Sequence, residues 1–194
     1  NRANASSYAG EYDKSITILD SILALDSTND KAWNDKGAFL GKLGCYEDAI
    51  ENFEQAIKIA PDYHLAWNNM GTAFYWLNRN EEAVKAYDQA IKHKPDFYQA
   101  YNNKGIALGN LDRHKEAIDV YDQAINITPD HHFAWYNKGV ALAFLDCHDE
   151  AIEAYDQATK YKSDYYEAWY NKGNSLVILG RLEEALEAFD QAFQ

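Results

Sequence analysis

The chain has 194 residues, 47% of them hydrophobic and 14% aromatic, which is ample for a continuous core. Its 31 acidic and 18 basic residues leave a net charge of −13. That balance argues against a nucleic-acid backbone or an anionic membrane surface as partner, because both call for a basic stripe.

In chain order, residues 1–29 read as the remainder of a repeat unit. Ala3 falls where later units carry Gly, Gly10 falls at the turn, and Ile16, Leu19, Ile22 and Leu23 form a second-helix stripe. The first whole copy of the recurring stretch, AWNDKGAFLGKLGCYEDAIENFEQA, begins at Ala32. It returns every 34 residues at Ala66, Ala100, Ala134 and Ala168 without a slip. Full units therefore run over 30–63, 64–97, 98–131 and 132–165, with 166–194 just short of complete, and residues 1–194 are expected to form a single array. An opening unit without its first helix, and a last helix with no polar cap after it, suggest a piece of a longer array.

Each unit predicts two helices. In the copy at Ala134, Trp135, Gly139, Leu142 and Leu145 recur at steps of three and four, one face of a 3.6-residue helix. Asp146 then interrupts, and Gly44, Asn78, Asp112 and Gly180 do so in the sister copies; these residues tolerate a helix end. Ala151, Ile152, Tyr155 and Ala158 make the stripe of the second helix. Pro61, Pro95, Pro129 and Ser163 stop it, each followed by an Asp expected to cap the next helix.

The pattern Trp67, Gly71, Phe74, Ala83, Tyr87 and Pro95, repeated in the other copies, resembles the tetratricopeptide repeat (TPR) family along essentially the whole chain. The resemblance implies an all-α solenoid of helix-turn-helix units coiled into a right-handed superhelix, whose concave channel is lined by the first helices. One position departs from the family pattern. Lys36, Met70, Lys104, Lys138 and Lys172 stand where the pattern has Leu, at the edge of the core stripe, where a Lys stem can pack while its ammonium reaches water.

Catalytic motifs are absent: there is no GxxxxGK[ST], strand-to-helix GxGxxG, HExxH, GxSxG or CxxC. No catalytic residue, cofactor or metal site is expected. His131 and His132 beside Asp130 point to different sides of a helix start, and His114 and His148 share a repeat position suited to packing. The acidic pairs opening each second helix, such as Glu81-Glu82, complement the helix dipole. Cys45 and Cys147 occupy one repeat position three units apart, beyond disulfide reach, so free thiols in a reducing, cytoplasmic setting are expected. No signal peptide and no run able to span a bilayer is seen.

At 100° per residue, the side of the first helices opposite the Trp–Gly–Leu face carries the candidate binding residues. Asn69, Asn103, Asn137 and Asn171 form a column of amides, with Asn1 in register and Asp35 the one break. An amide suits the backbone of an extended peptide; the alternative is that each bonds to the neighbouring repeat. Phe133, Tyr136, Val140, Phe144, Tyr170, Val177 and Ile178 turn this side apolar toward the C-terminal half, and Tyr75 and Trp76 stand on it earlier. For Trp76 and Phe144, packing against an adjacent first helix is the other reading. Asn34, Asn68, Asn69, Asn102 and Asn103 stand where some TPR domains carry basic residues that grip a C-terminal carboxylate, so that clamp is not expected.

The expected function is a non-catalytic protein–protein interaction module that takes a peptide or extended partner segment in the channel. The alternatives are a structural or oligomerisation scaffold that assembles through its ends, and the TPR portion of a larger enzyme or signalling protein.

Overall fold

A computed structural model describes the backbone of residues 2–193 and the side chains of residues 10–193. Among the described residues there are eleven α-helices and no strand. By their contacts they fall into two compact units. Unit 1, Asn1–Pro95, holds α1 (Arg2–Leu25), α2 (Asp30–Lys42), α3 (Tyr46–Ile59), α4 (His64–Trp76) and α5 (Asn80–His93). Unit 2, Asp96–Gln194, holds α6 (Tyr98–Gly109), α7 (His114–Ile127), α8 (His132–Phe144), α9 (His148–Tyr161), α10 (Tyr166–Ile178) and α11 (Leu182–Ala192). Within each unit successive helices pack on one another, which makes it an α-solenoid of antiparallel hairpins.

Each hairpin closes on a glycine. A Cβ added to Gly71 would sit 2.7 Å from the Tyr87 ring, and one added to Gly105 only 2.4 Å from Tyr121. The aromatic ring of each second helix therefore lies flat on the backbone of its partner, a closeness that only Gly permits. The hairpin turns carry the left-handed residues named from sequence: Gly44, Asn78, Asp112, Asp146 and Gly180 have φ between 58° and 84°.

Two further devices recur. The indole Nε1 of Trp33, Trp67, Trp135 and Trp169 donates to the carbonyl six residues earlier, at 2.8–3.0 Å, clipping each first helix to the turn before it. The lysines that replace the family's Leu have a reason as well. Lys36, Lys138 and Lys172 reach Asp20, Asp122 and Asp156 of the preceding second helix at 2.5–2.6 Å, their ammonium groups within 5.8 Å of the centroids of the Trp33, Trp135 and Trp169 rings. The departure from the pattern is a link between repeats.

Two expectations are corrected. No turn forms at Gly10, and α1 runs unbroken from Arg2 to Leu25. A turn there would fold back only a few residues lacking the Trp that anchors other first helices, so continuing the helix is favoured despite about 1 kcal/mol for an internal Gly. Asp62, Asp96, Asp130 and Asp164 do not cap the next helix. The N-cap positions belong to Tyr63, Phe97, His131 and Tyr165, which make no side-chain cap bond. Phe97 and Tyr165 are buried there, so ring packing sets the start of these helices. At the ends, Leu23, Ala185 and Ala188 are buried within the units, whereas Ile18, Leu25, Leu182, Leu186 and Phe193 are exposed.

Candidate functional site

In unit 1, α2, α3 and α4 enclose a groove of about 460 Å³, lined by Ala38, Gly41, Lys42, Tyr46, Phe53, Asn69, Thr72, Ala73 and Trp76. The small side chains of Ala38 and Gly41 leave its floor open. Trp76 is 61% exposed and stands over it. Its ring stacks on Tyr46 at 6.2 Å and 10°, and the half-buried Tyr75 ring meets it edge-on at 5.6 Å. Trp76 thus packs on the start of a second helix, which holds the indole flat while leaving one face to solvent.

Unit 2 repeats the arrangement with other residues. Phe144 is 68% exposed and stacks on His114 at 4.7 Å and 4°. One hollow of about 210 Å³ lies before it, with Gly109, Asn110, Asp112, His114 and Asn137 among its lining residues. Another of about 270 Å³ lies beyond it, against Val140, His148, Asn171, Asn174 and Ile178. The imidazoles of His114 and His148 are mostly covered, in keeping with packing.

The asparagine column is an inter-repeat ladder. Asn69 Nδ2 donates to Asn34 Oδ1 at 3.0 Å in unit 1. In unit 2, Asn137 Nδ2 donates to Asn102 Oδ1 at 3.1 Å, and Asn171 Nδ2 donates to the Tyr136 hydroxyl at 3.1 Å. Asn103 is half-buried at the same repeat position on α6, and Asn1 lies outside the described residues. The ladder bond uses one N–H of each donor; the amide oxygen and second N–H are outside it. Asn34, Asn68 and Asn102, placed on the open side from sequence, are buried. They stand one residue before the Asn column on the helix, so a 100° step turns them away from the open side.

The predicted aromatics separate into two groups. Phe133 and Tyr170 are exposed, Phe133 against His132 and Tyr165, Tyr170 stacked on Tyr166 and tilted to Phe189. Tyr136 is half-buried. Its ring meets Tyr165 at 5.0 Å and Tyr155 at 6.1 Å, its hydroxyl accepts from Asn171, and burial raises its pKa. Tyr136 supports the face from within. Val177 and Ile178 are exposed beside it on α10.

His131 and His132 are half-buried in a nest with Tyr98, Phe133 and Tyr165. Burial is the main cause that lowers the pKa of each. Among the described residues, no three His, Cys, Asp or Glu side chains are grouped to hold a metal ion, and no helix is long and apolar enough to cross a membrane. Cys45 and Cys147 are free thiols.

Sequence reasoning missed Tyr46 and His114 as the platforms beneath Trp76 and Phe144. The signal was present: both pairs share repeat positions and are offset by the same two repeats.

Sequence models of the tetratricopeptide repeat match residues 30–63, 68–132 and 136–193. No curated protein sequence matches significantly. Among solved structures, the chain is similar to a MamA protein at 23% identity and a TM-score of 0.77, covering 84% of this chain and 89% of that one. It is also similar to residues 41 to the end of MamA from Desulfovibrio magneticus RS-1, at 21% identity and 0.78, covering 84% and 93%. YrrB, described as a TPR protein with an unusual peptide-binding site, aligns at 19% identity and 0.74 over 90% of each chain.

Proposed function

Because the chain belongs to the tetratricopeptide repeat family, we propose that it is a non-catalytic protein–protein interaction module taking an extended segment of a partner protein along the faces of its first helices. The observation that carries this reading is the exposure of Trp76, Phe144 and Ile178, each above 60%, on the side of the helices away from the core. Burying such a side chain is worth about 1.5–3 kcal/mol, so a protein surface that covers them is favoured. The similarity to a peptide-binding TPR protein supports a peptide-like ligand. The unbroken 34-residue period across Pro95 supports treating residues 1–194 as one array.

In this reading Trp76, Phe144, Phe133 and Tyr170 contact partner side chains, with Tyr75 bracing Trp76. Asn69, Asn103, Asn137 and Asn171 meet the partner backbone with amide atoms outside the ladder bonds, and Tyr136 holds Asn171 in place. The net charge of −13 argues against nucleic acid and anionic membranes, and the free cysteines support a reducing compartment. The test is capture of partners from the source cell by the wild type and by Trp76→Ala with Phe144→Ala, both checked for equal helix content. Loss of a wild-type partner in the variant is expected; an unchanged set of partners overturns the reading.

A second reading, self-association through the last helix, has its own observation. Leu186 is 65% and Phe193 75% exposed, whereas Ile152 and Thr159, at the same repeat positions one unit earlier, are each 5% exposed beneath the helix that follows. Light scattering over a concentration range tests it, and a wild type that stays monomeric at high concentration removes it.

A further inference from the structure

We propose that the α2–α4 groove recognises a bulky apolar side chain with a carboxylate beside it, so that the partner segment meeting unit 1 is of mixed apolar and acidic character. The proposal rests on the interaction reading above and names the chemistry of its ligand at one place.

The argument begins with Lys42. Among the described residues it is the one charged residue lining the groove, in a chain whose net charge is −13. The lysines facing the neighbouring second helices, Lys36, Lys138 and Lys172, each hold an Asp at 2.5–2.6 Å. Among the described residues Lys42 holds none; its ammonium lies 5.3 Å from the centroid of the Tyr12 ring and 5.4 Å from that of Phe39. Those rings flank the ammonium without neutralising it, so its charge is available to an anion that meets the groove beside Lys42.

The apolar part of the site is equally defined. Ala38 and Gly41 open a floor, Tyr46 fixes the Trp76 ring, and a flat aliphatic or aromatic group fits against the exposed indole face. Thr72 Oγ1 already donates to the Asn68 carbonyl, and Asn69 gives one N–H to Asn34. The Thr72 hydroxyl proton is therefore committed, Asn69 keeps its amide oxygen and second N–H for a partner backbone, and Lys42 supplies the charge preference. Unit 2 provides an internal contrast. There Gly109, Phe144 and His114 take the places of Gly41, Trp76 and Tyr46, but Asn110 stands where Lys42 does, and the charged lining residue is Asp112, whose side chain is almost fully exposed. That hollow offers a carboxylate no cation.

The experiment uses two probes, N-acetyl-L-phenylalanine as its carboxylate and N-acetyl-L-phenylalanine amide, titrated into the full chain at low salt. The readout is the indole N–H resonance of Trp76, identified with Trp76→Phe. The indoles of Trp33, Trp67, Trp135 and Trp169 donate to backbone carbonyls and serve as references. Both probes are expected to shift Trp76, with the carboxylate binding about 2- to 5-fold more tightly, the range of a solvent-accessible ion pair. Lys42→Gln should remove the preference and Lys42→Arg should retain it. Equal binding of the two probes to the wild type overturns the charge selection while leaving the apolar contact, and with it the interaction reading, in place. No shift of Trp76 with either probe at high concentration overturns the site altogether and withdraws the main support for that reading in unit 1.

Discussion

The groove of unit 1 and the hollows of unit 2 are built on one frame and differ at their rims. In both, a tyrosine of the second helix lies on a first-helix glycine, a tryptophan indole clips the preceding turn, and a ladder of side-chain amides joins successive first helices. The rims diverge: Trp76 over Tyr46 with Lys42 in one, Phe144 over His114 with Asp112 in the other. Residues that face a neighbouring repeat are constrained by a surface that is itself repeated, so the same solution serves every copy. Rim residues have no such template and are free to differ from copy to copy. Substitutions in the frame should therefore act alike in both units and on stability, and substitutions in the rims should act on binding alone.

The largest expected effect tests the frame. Gly71→Leu in unit 1 and Gly105→Leu in unit 2 each drive side-chain atoms into a buried tyrosine ring. Overpacking of this kind costs about 1–3 kcal/mol, and at roughly 2–4 °C per kcal/mol for a chain of this size Tm should fall by several degrees in both. Calorimetry checks it, and a fall in one variant with none in the other would break the equivalence of the two frames.

Alkaline pH separates the units more finely. Burial pushes the Tyr87 phenol of unit 1 up to about 12, and raises Tyr155 and Tyr165 of unit 2 further still. An unfolded tyrosine ionises near pH 10. Below that pH both states keep the proton and the full stability is present; above it the unfolded chain releases protons that the folded chain retains, and stability falls as pH rises through the folded values. Each such group contributes a slope of about 1.4 kcal/mol per pH unit in that window. Tm measured from pH 9 to 11 should drop, and Tyr155→Phe with Tyr165→Phe, which removes two such groups, should flatten the drop about twice as much as Tyr87→Phe, which removes one. The reverse order would count against the upward shift of the two unit 2 phenols.

An effect of similar size is expected from the ladder. Asn137→Ala removes the donor to Asn102 Oδ1, whose residue is buried, at a cost of about 1–3 kcal/mol. Asn171→Ala removes the donor to a tyrosine hydroxyl that can turn toward water, and should cost less. Comparing the two midpoints in denaturant measures how much the buried amide matters; equal shifts would show that the acceptor's surroundings have no influence.

The repeat period made the helices, turn positions and close-packed glycines legible, because each is a backbone requirement reimposed in every copy. Side-chain destinations were less so. A 100° wheel placed Asn34, Asn68 and Asn102 beside Asn69 and Asn103 as if both rows were open, yet one row is buried. A wheel describes a single helix, whereas burial here is decided by the offset between successive helices. A wheel also gives no sign of the surroundings of Tyr136: its half-buried ring lies among Tyr155, Tyr165 and the amide of Asn171, three contacts spread over a full repeat. The turn at Gly10 fails for a different cause. The residue type permits a turn, but the stretch before it lacks the large apolar side chains that give a hairpin its stability.

The smallest expected effect lies in the turns, where unit 2 places Asp112 and Asp146 at φ of 58° while Gly44 and Gly180 hold the equivalent positions elsewhere. An L-residue in this region carries a steric cost of about 1–2 kcal/mol, reduced for Asp by its short polar side chain. Replacing Asp146 with Gly removes that cost. The same change enlarges the conformational freedom of the unfolded chain, which opposes it by roughly 0.5–1 kcal/mol. The Asp146 side chain is almost fully exposed and lies 3.8 Å from His148 Nε2, beyond hydrogen-bond distance, so little else is lost. The two large terms nearly cancel, and Asp146→Gly should change stability by only a few tenths of a kcal/mol, on the stabilising side. Asp146→Val has no such offset, because a β-branched side chain is strained at positive φ, and it should lower Tm by several degrees. If Val were tolerated as well as Gly, the left-handed turn would not be what ends the first helix, and the equivalence of Asp146 with Gly44 and Gly180 would fail.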